Sequence, residues 1–141
     1  MDYSAQSVEL ARRVGEQEGS GAEFAEWDVL DGDYTDVLSG TEASGWDVVT
    51  DKGTFDAICL SSARDSVGRR ISEGYKSRVA GLVKKGGLFI VTSCNWTEDE
   101  LRAWFVGGEE GFEEVGSIEY PSFSFGGQKG QTISTLCFRK R

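Results

Sequence analysis

WDVVTDKGTFDAICLSS, residues 46–62, is the stretch on which the fold turns. Trp46, Val48 and Val49 form an apolar run that ends at an acid, Asp51, and Lys52, Gly53 and Thr54 follow at once. A buried strand that runs out into a polar loop has this pattern. In open α/β sheets, ligands sit in the crevice beyond the carboxyl ends of the strands, so a charged cluster at such an end is a candidate site. A strand that ends in an ordinary solvated turn would look the same. The flanking sequence has to separate the two readings.

Upstream, Glu23 to Leu30 (EFAEWDVL) sets Phe24, Ala25 and Trp27 among acids and closes on Asp28-Val29-Leu30, which reads as another strand ending in an acid. Asp31 to Gly45 is polar and glycine-bearing, a loop or short irregular helix. Before these, Val8, Leu10, Ala11 and Val14 recur near helical spacing behind the caps Ser4 and Ser7, and Gly19 ends the pattern. This predicts a helix of about four turns that starts almost on the first residue.

Downstream, residues 56–62 read as a short apolar turn or helix under the loop. Arg69 to Lys84 carries Ile71, Tyr75, Val79, Leu82 and Val83 at helical intervals, stopped by Gly86-Gly87. Leu88 to Cys94 (LFIVTSC) is almost unbroken apolar sequence, which suits the middle of a parallel sheet, and it ends in Asn95-Trp96. Thr97 with Glu100 three positions on makes a capping-box pattern, and Leu101, Trp104 and Phe105 give that helix its inner stripe. Phe112 to Pro121 and Thr132 to Arg139 are two strands with no helix between them, only the loop SFSFGGQKGQ. They imply an antiparallel hairpin at one edge of an otherwise parallel sheet.

The chain's 141 residues suit a single domain, and 38% hydrophobic with 28% charged residues suits a soluble globular protein. No apolar run approaches the ~20 residues that cross a bilayer, so the expectation is a cytoplasmic protein with no membrane role. Acidic residues number 24 against 15 basic ones, a formal net charge of -9, which repels nucleic acid and favours a basic or neutral partner. Cys59, Cys94 and Cys137 lie far apart in apolar runs and read as small buried thiols rather than zinc ligands or disulfide partners. There is no histidine, which excludes Ser-His-Asp and Cys-His triads and the usual zinc hydrolase sites; no metal is expected.

Aspartates at successive strand ends have a chemistry in common. One can take the hydroxyls of a ribose and the next an exocyclic adenine amine, although acids also cap helices for purely structural reasons. The motifs D-Y-S-x-x-S-V-x-L-A from Asp2, D-V-L from Asp28, D-K-G-T-F-D-A-I from Asp51, G-G-L-F-I-V-T-S-C-N-W-T from Gly86 and F-S-F-G-G from Phe123 follow one another over nearly the whole chain. In that order they resemble the class I, seven-strand S-adenosylmethionine-dependent methyltransferases, and among them the family that methylates a lysine of translation elongation factor 1-alpha.

The resemblance implies an α/β, Rossmann-like sheet, one methyltransferase domain over residues 1–141, S-adenosyl-L-methionine as cofactor and elongation factor 1-alpha as protein partner. It implies that Asp2 holds the cofactor's ribose with Tyr3 packed nearby, and that Asp28 faces adenine with Val29 and Leu30 beside it. Asp51, Lys52, Gly53 and Thr54 correspond to the family's post-strand motif next to the methionine moiety. Catalytic roles are implied for Asp51, Asn95 and Trp96. Asn95 and Trp96 also resemble the rim where the substrate lysine enters, and Phe123, Phe125, Gly126 and Gly127 a substrate-side loop.

In one respect the sequence departs from the family. The first strand and the glycine-rich turn are absent, with most of the strand before Asp2, so the domain is expected to be N-terminally truncated and to bind cofactor poorly. Two alternatives stay open: a non-catalytic binding module on the same fold, or a methyltransferase for small molecules.

Overall fold

The structure, a computed structural model, describes every residue except 109, 110, 122, 126, 127, 131 and 132, and for 123–125 and 128–130 the backbone alone. It divides into two compact units, Met1–Ala43 and Ser44–Arg141. Among the described residues, no helix is long and apolar enough to cross a membrane, and no group of acidic residues and cysteines is placed to hold a metal ion.

In the first unit, helix α1 spans Ala5–Gln17, with Ser4 as its N-cap accepting from the Ser7 N–H. Of its predicted apolar stripe, Val8 is buried while Leu10 and Val14 are exposed. Trp27 is the other buried apolar side chain here, and its indole N–H donates to the Asp33 carbonyl at 2.8 Å. The strand expected over Glu23–Leu30 does not form. Its pairing is reduced to one parallel bridge, Asp2 with Glu26, made by the Asp2 N–H to the Ala25 carbonyl (3.2 Å) and the Trp27 N–H to the Asp2 carbonyl (2.9 Å). A strand needs a ladder to satisfy its backbone groups. After Trp27 the ladder stops, because the Asp28 carboxylate folds onto the Leu30 N–H (2.8 Å) and the chain turns.

The second unit holds β1 (Trp46–Lys52), α2 (Thr54–Leu60), α3 (Ser72–Leu82), β2 (Val83–Ser93), α4 (Glu98–Phe105), β3 (Phe112–Ile118), β4 (Phe123–Phe125), β5 (Gln128–Gly130) and β6 (Ser134–Lys140). The main sheet has the order β1-β2-β6-β3. β1 and β2 run parallel, with Asp51 opposite Val91 and Lys52 opposite Thr92, while β6 is antiparallel to both β2 and β3. The last two long strands are therefore adjacent and antiparallel as expected, though β6 lies inside the sheet and β3 at its edge. The stretch read as a plain loop between them carries a two-stranded antiparallel ribbon, β4 with β5.

β2 starts five residues earlier than the sequence suggests, directly after α3. The helix stops at Leu82, where the Lys140 ammonium from β6 takes the carbonyls of Ala80 (2.6 Å) and Val83 (2.8 Å). Gly86 and Gly87, expected to stop the helix, lie inside the strand at its register shift against β1. A Cβ at Gly87 would sit 3.0 Å from the carbonyl oxygens of Trp46 and Asp47, so the shift needs a residue without a side chain.

Alternating residues put Phe89, Val91, Leu136 and Phe138 on the buried face, where Leu101 and Phe105 of α4 meet them, each with no measurable exposure. The cysteines depart from expectation. Cys94 is exposed just past the end of β2, and Cys137 is half-buried, on the face opposite Leu136 and Phe138. Strand alternation accounts for Cys137, and the position beyond the strand end for Cys94.

α4 opens with a complete capping box. The Thr97 hydroxyl accepts from the Glu100 N–H, and the Glu100 carboxylate accepts from the Thr97 N–H at 2.8 Å. Thr97→Ala removes both the acceptor and the hydroxyl partner, with an expected loss of about 1 kcal/mol in urea unfolding. A change of under about 0.3 kcal/mol would show that the helix start is held by packing alone.

Candidate active site at the carboxyl ends of β1 and β2

Parallel pairing places the ends of β1 and β2 side by side on one rim of the sheet. At the first end, Asp51 is buried, and its carboxylate accepts from the N–H groups of Thr54 (3.1 Å) and Phe55 (3.2 Å) and from the buried Tyr75 hydroxyl. Gly53 makes the turn possible. Its φ of +92° is one that other residues adopt only under strain, and it brings the first amides of α2 back over Asp51. Lys52 and Thr54 flank this turn and are exposed.

Burial pushes the Asp51 carboxyl above its ordinary value, and the three donors pull it only part of the way back. Tyr75 is pushed up too, by burial and by the negative charge of Asp51. The folded chain thus holds the Asp51 proton more tightly than the unfolded chain. This group's contribution to stability is full below the ordinary aspartate value and is lost as pH rises through the raised one. Asn at this position cannot ionise. The stability of the native chain relative to Asp51→Asn is therefore expected to fall as pH rises above the ordinary aspartate value of about 4. Urea unfolding of both proteins checks it, and a difference that grows with pH would contradict it.

The second end is organised by residues that the sequence reading passed over. Asp56, in the first turn of α2, is buried and accepts from the Ser93 hydroxyl (2.5 Å) and the Cys94 N–H (2.9 Å). Ser93, itself 1% exposed, accepts in turn from the N–H groups of Asn95 and Trp96, both at 3.0 Å. Asn95 is exposed, while Trp96 is half-buried, with its ring 6.1 Å from Phe55 and 5.9 Å from Trp104. Trp96, Glu100, Ala103 and Trp104 line an open groove of about 260 Å³. Burial, and next to it Asp56, pushes the half-buried Cys59 thiol up to about 11, so it is no nucleophile near neutral pH.

A clue to Asp56 was present. An acid in a turn otherwise expected to pack under the loop must find donors if it is buried. The same holds for Tyr75, whose hydroxyl sits on the inner stripe of α3.

Of the other expected site residues, Asp2 and Asp28 lie together in the first unit, linked through the bridge at Glu26 and Trp27. Both are exposed, and each uses one carboxylate oxygen on a nearby amide, Ser4 at 2.8 Å for Asp2 and Leu30 at 2.8 Å for Asp28. The other oxygens suit hydroxyl or amine donors. Tyr3 is 75% exposed, and Val29 and Leu30 are half-buried. Phe123 and Phe125 lie on β4; Gly126 and Gly127 fall outside the described residues.

This arrangement has relatives. No family model matches the chain. Among curated proteins, the protein-lysine N-methyltransferase EFM4 of Saccharomyces cerevisiae is 35% identical over all of this chain and 58% of its own length. The human EEF1A lysine methyltransferase 2 is 37% identical over 99% of this chain and 54% of its own length. Over its whole length the chain is similar to proteins named as EEF1A lysine methyltransferases. It spans a little over half the length of these lysine methyltransferases, with both rim motifs inside the shared part.

Solved structures agree on the fold. A protein solved in work on the conversion of a disulfide bond into a thioacetal group during echinomycin biosynthesis superposes with a TM-score of 0.63 over 98% of this chain and 64% of its own, at 17% identity. The N-methyltransferase NodS of Bradyrhizobium japonicum, in complex with S-adenosyl-L-homocysteine, superposes with a TM-score of 0.56 over 99% of this chain and 64% of its own, at 15% identity. The fold is thus the Rossmann-like one of the class I methyltransferases, as the motifs implied.

Proposed function

We propose that the protein is an S-adenosylmethionine-dependent protein-lysine N-methyltransferase of the cytoplasm whose substrate is elongation factor 1-alpha. The observation that carries this reading is the match over the whole chain, at 35% and 37% identity, to proteins named for that activity. The residues present fit the ribose and adenine of the cofactor. Asp2 and Asp28 each keep a carboxylate oxygen for ribose hydroxyls or an adenine amine, and Tyr3 offers an exposed ring beside Asp2. The cofactor, when bound, supplies a methyl group on a sulfonium, activated without any acid or metal from the protein.

A chain without histidine suits such a reaction, whose demands are alignment and a dry site. The substrate amine must be neutral to attack, and it loses its proton to solvent. Asn95 and Trp96 form the rim that receives the lysine, whose stem and charge suit the Trp96 ring face. Phe123, Phe125, Gly126 and Gly127 supply the remaining substrate side. Asp51 acts through the loop it holds, since its oxygens already serve Tyr75 and α2, and so it orients Lys52, Gly53 and Thr54. The net charge of -9 suits a basic protein partner.

That occupied carboxylate favours one other reading, a binding module without catalysis. Incubating the purified protein with labelled S-adenosylmethionine and elongation factor 1-alpha separates the two. Label on a lysine of the factor supports the enzyme. A factor that is captured but stays unlabelled supports the module, and label on small molecules alone would move the substrate elsewhere.

A further inference from the structure

We infer that Asp56 and Ser93 are positioning residues for the substrate-side loop, a buried relay that sets the conformation of Asn95 and Trp96. The inference rests on the reading above, in which that loop receives the lysine. The relay runs from α2 to the tip of β2. Asp56 takes the Ser93 hydroxyl proton on one oxygen (2.5 Å) and the Cys94 N–H on the other (2.9 Å). The Ser93 oxygen, its proton so directed, presents its lone pairs to the Asn95 and Trp96 amides at 3.0 Å each. Three consecutive backbone N–H groups, 94 to 96, are thereby held by two side chains that are almost fully buried.

Such an arrangement leaves the loop few alternatives. If the Ser93 hydroxyl is lost, Asp56 loses a donor and two loop amides lose their acceptor together. If the carboxylate becomes an amide, an NH2 group faces either Ser93 or Cys94, each of which already offers a donor, and one bond must break. Water cannot easily substitute, because Ser93 is 1% exposed. The relay also shares its helix turn with Phe55, whose amide bonds Asp51 and whose ring lies against Trp96. One turn of α2 therefore registers both strand ends of the rim.

A role in positioning differs measurably from a role in stability alone. The variants are Asp56→Asn, Ser93→Ala, the double variant, and Cys94→Ser as a control, since the Cys94 side chain is exposed and its amide survives the change. In methyl transfer to elongation factor 1-alpha, Asp56→Asn and Ser93→Ala are each expected to lower kcat/KM for the protein substrate by about tenfold or more. The KM for S-adenosylmethionine should stay within about twofold, because misplacement is confined to the substrate side. In a shared relay the double variant should be little worse than the poorer single one. With 5-fluorotryptophan at the four tryptophans, the Trp96 fluorine signal, assigned through Trp96→Phe, should move in both single variants and stay put in Cys94→Ser.

Variants that melt at lower temperature yet keep the native kcat/KM and an unmoved Trp96 signal would overturn the inference, as would fully multiplicative losses in the double variant. If the native protein transfers no methyl group, the proposed function fails. The fluorine signals then judge the relay by themselves.

Discussion

Replacing Asp51 by alanine is expected to lower the free energy of unfolding by about 3 kcal/mol, since it orphans buried donors without removing them. The Tyr75 hydroxyl is the costliest of these. Its residue is 1% exposed, and Asp51 is the acceptor it meets across the gap between α3 and β1. The Thr54 and Phe55 amides lose their cap at the same time, and a lost N-cap acceptor typically costs ~1 kcal/mol. Tyr75→Phe in the alanine background should recover part of the loss, because it removes the unpaired hydroxyl. Urea unfolding at neutral pH measures both changes. A loss of under about 1 kcal/mol for Asp51→Ala would mean that these donors find other partners.

Phe55→Ala is expected to cost more, about 4 kcal/mol, at the upper end of large-to-small changes in a packed core. Phe55 is 1% exposed, and its ring centroid lies 5.0 Å from that of Tyr75, 5.1 Å from Phe105, 5.4 Å from Trp104 and 6.1 Å from Trp96. The cavity would open where α2, α3 and α4 meet, and four aromatic rings cannot all collapse into it. Leu60→Ala in the same helix is the control, since Leu60 is 76% exposed and should change stability by under about 0.5 kcal/mol. A Phe55→Ala loss as small as that of the control would contradict the packing described.

Residues 46–54 show what can be read ahead of a structure. A short apolar run, an acid and a glycine announce a strand end and a turn, and both form where they are expected because the signals are local. The strand itself is not the buried one expected, since β1 stands at the edge of the described sheet with Val48 48% exposed. The capping box at Thr97 is legible for the same reason. Glu23–Leu30 fails because its alternation describes a strand only if a partner backbone lies alongside, and partners are nowhere written in the segment itself. Gly86-Gly87 misleads differently, since a glycine pair marks a helix stop and a strand irregularity alike. The deeper part of the site was hidden. Asp56 looks like an ordinary first-turn acid on α2, and only the three-dimensional approach of Ser93, 37 residues away, gives it another task.

The fold is shared with methyltransferases, and both rim motifs lie within the stretch shared with lysine methyltransferases. The claim that remains is about turnover. Its most direct test follows the formation of S-adenosylhomocysteine by the purified protein while the concentration of elongation factor 1-alpha is varied. The account predicts that product appears only with the factor present, saturates with it, and is matched mole for mole by methyl groups on lysine. Product formed at the same rate without the factor, or no product at any concentration of it, would contradict the account.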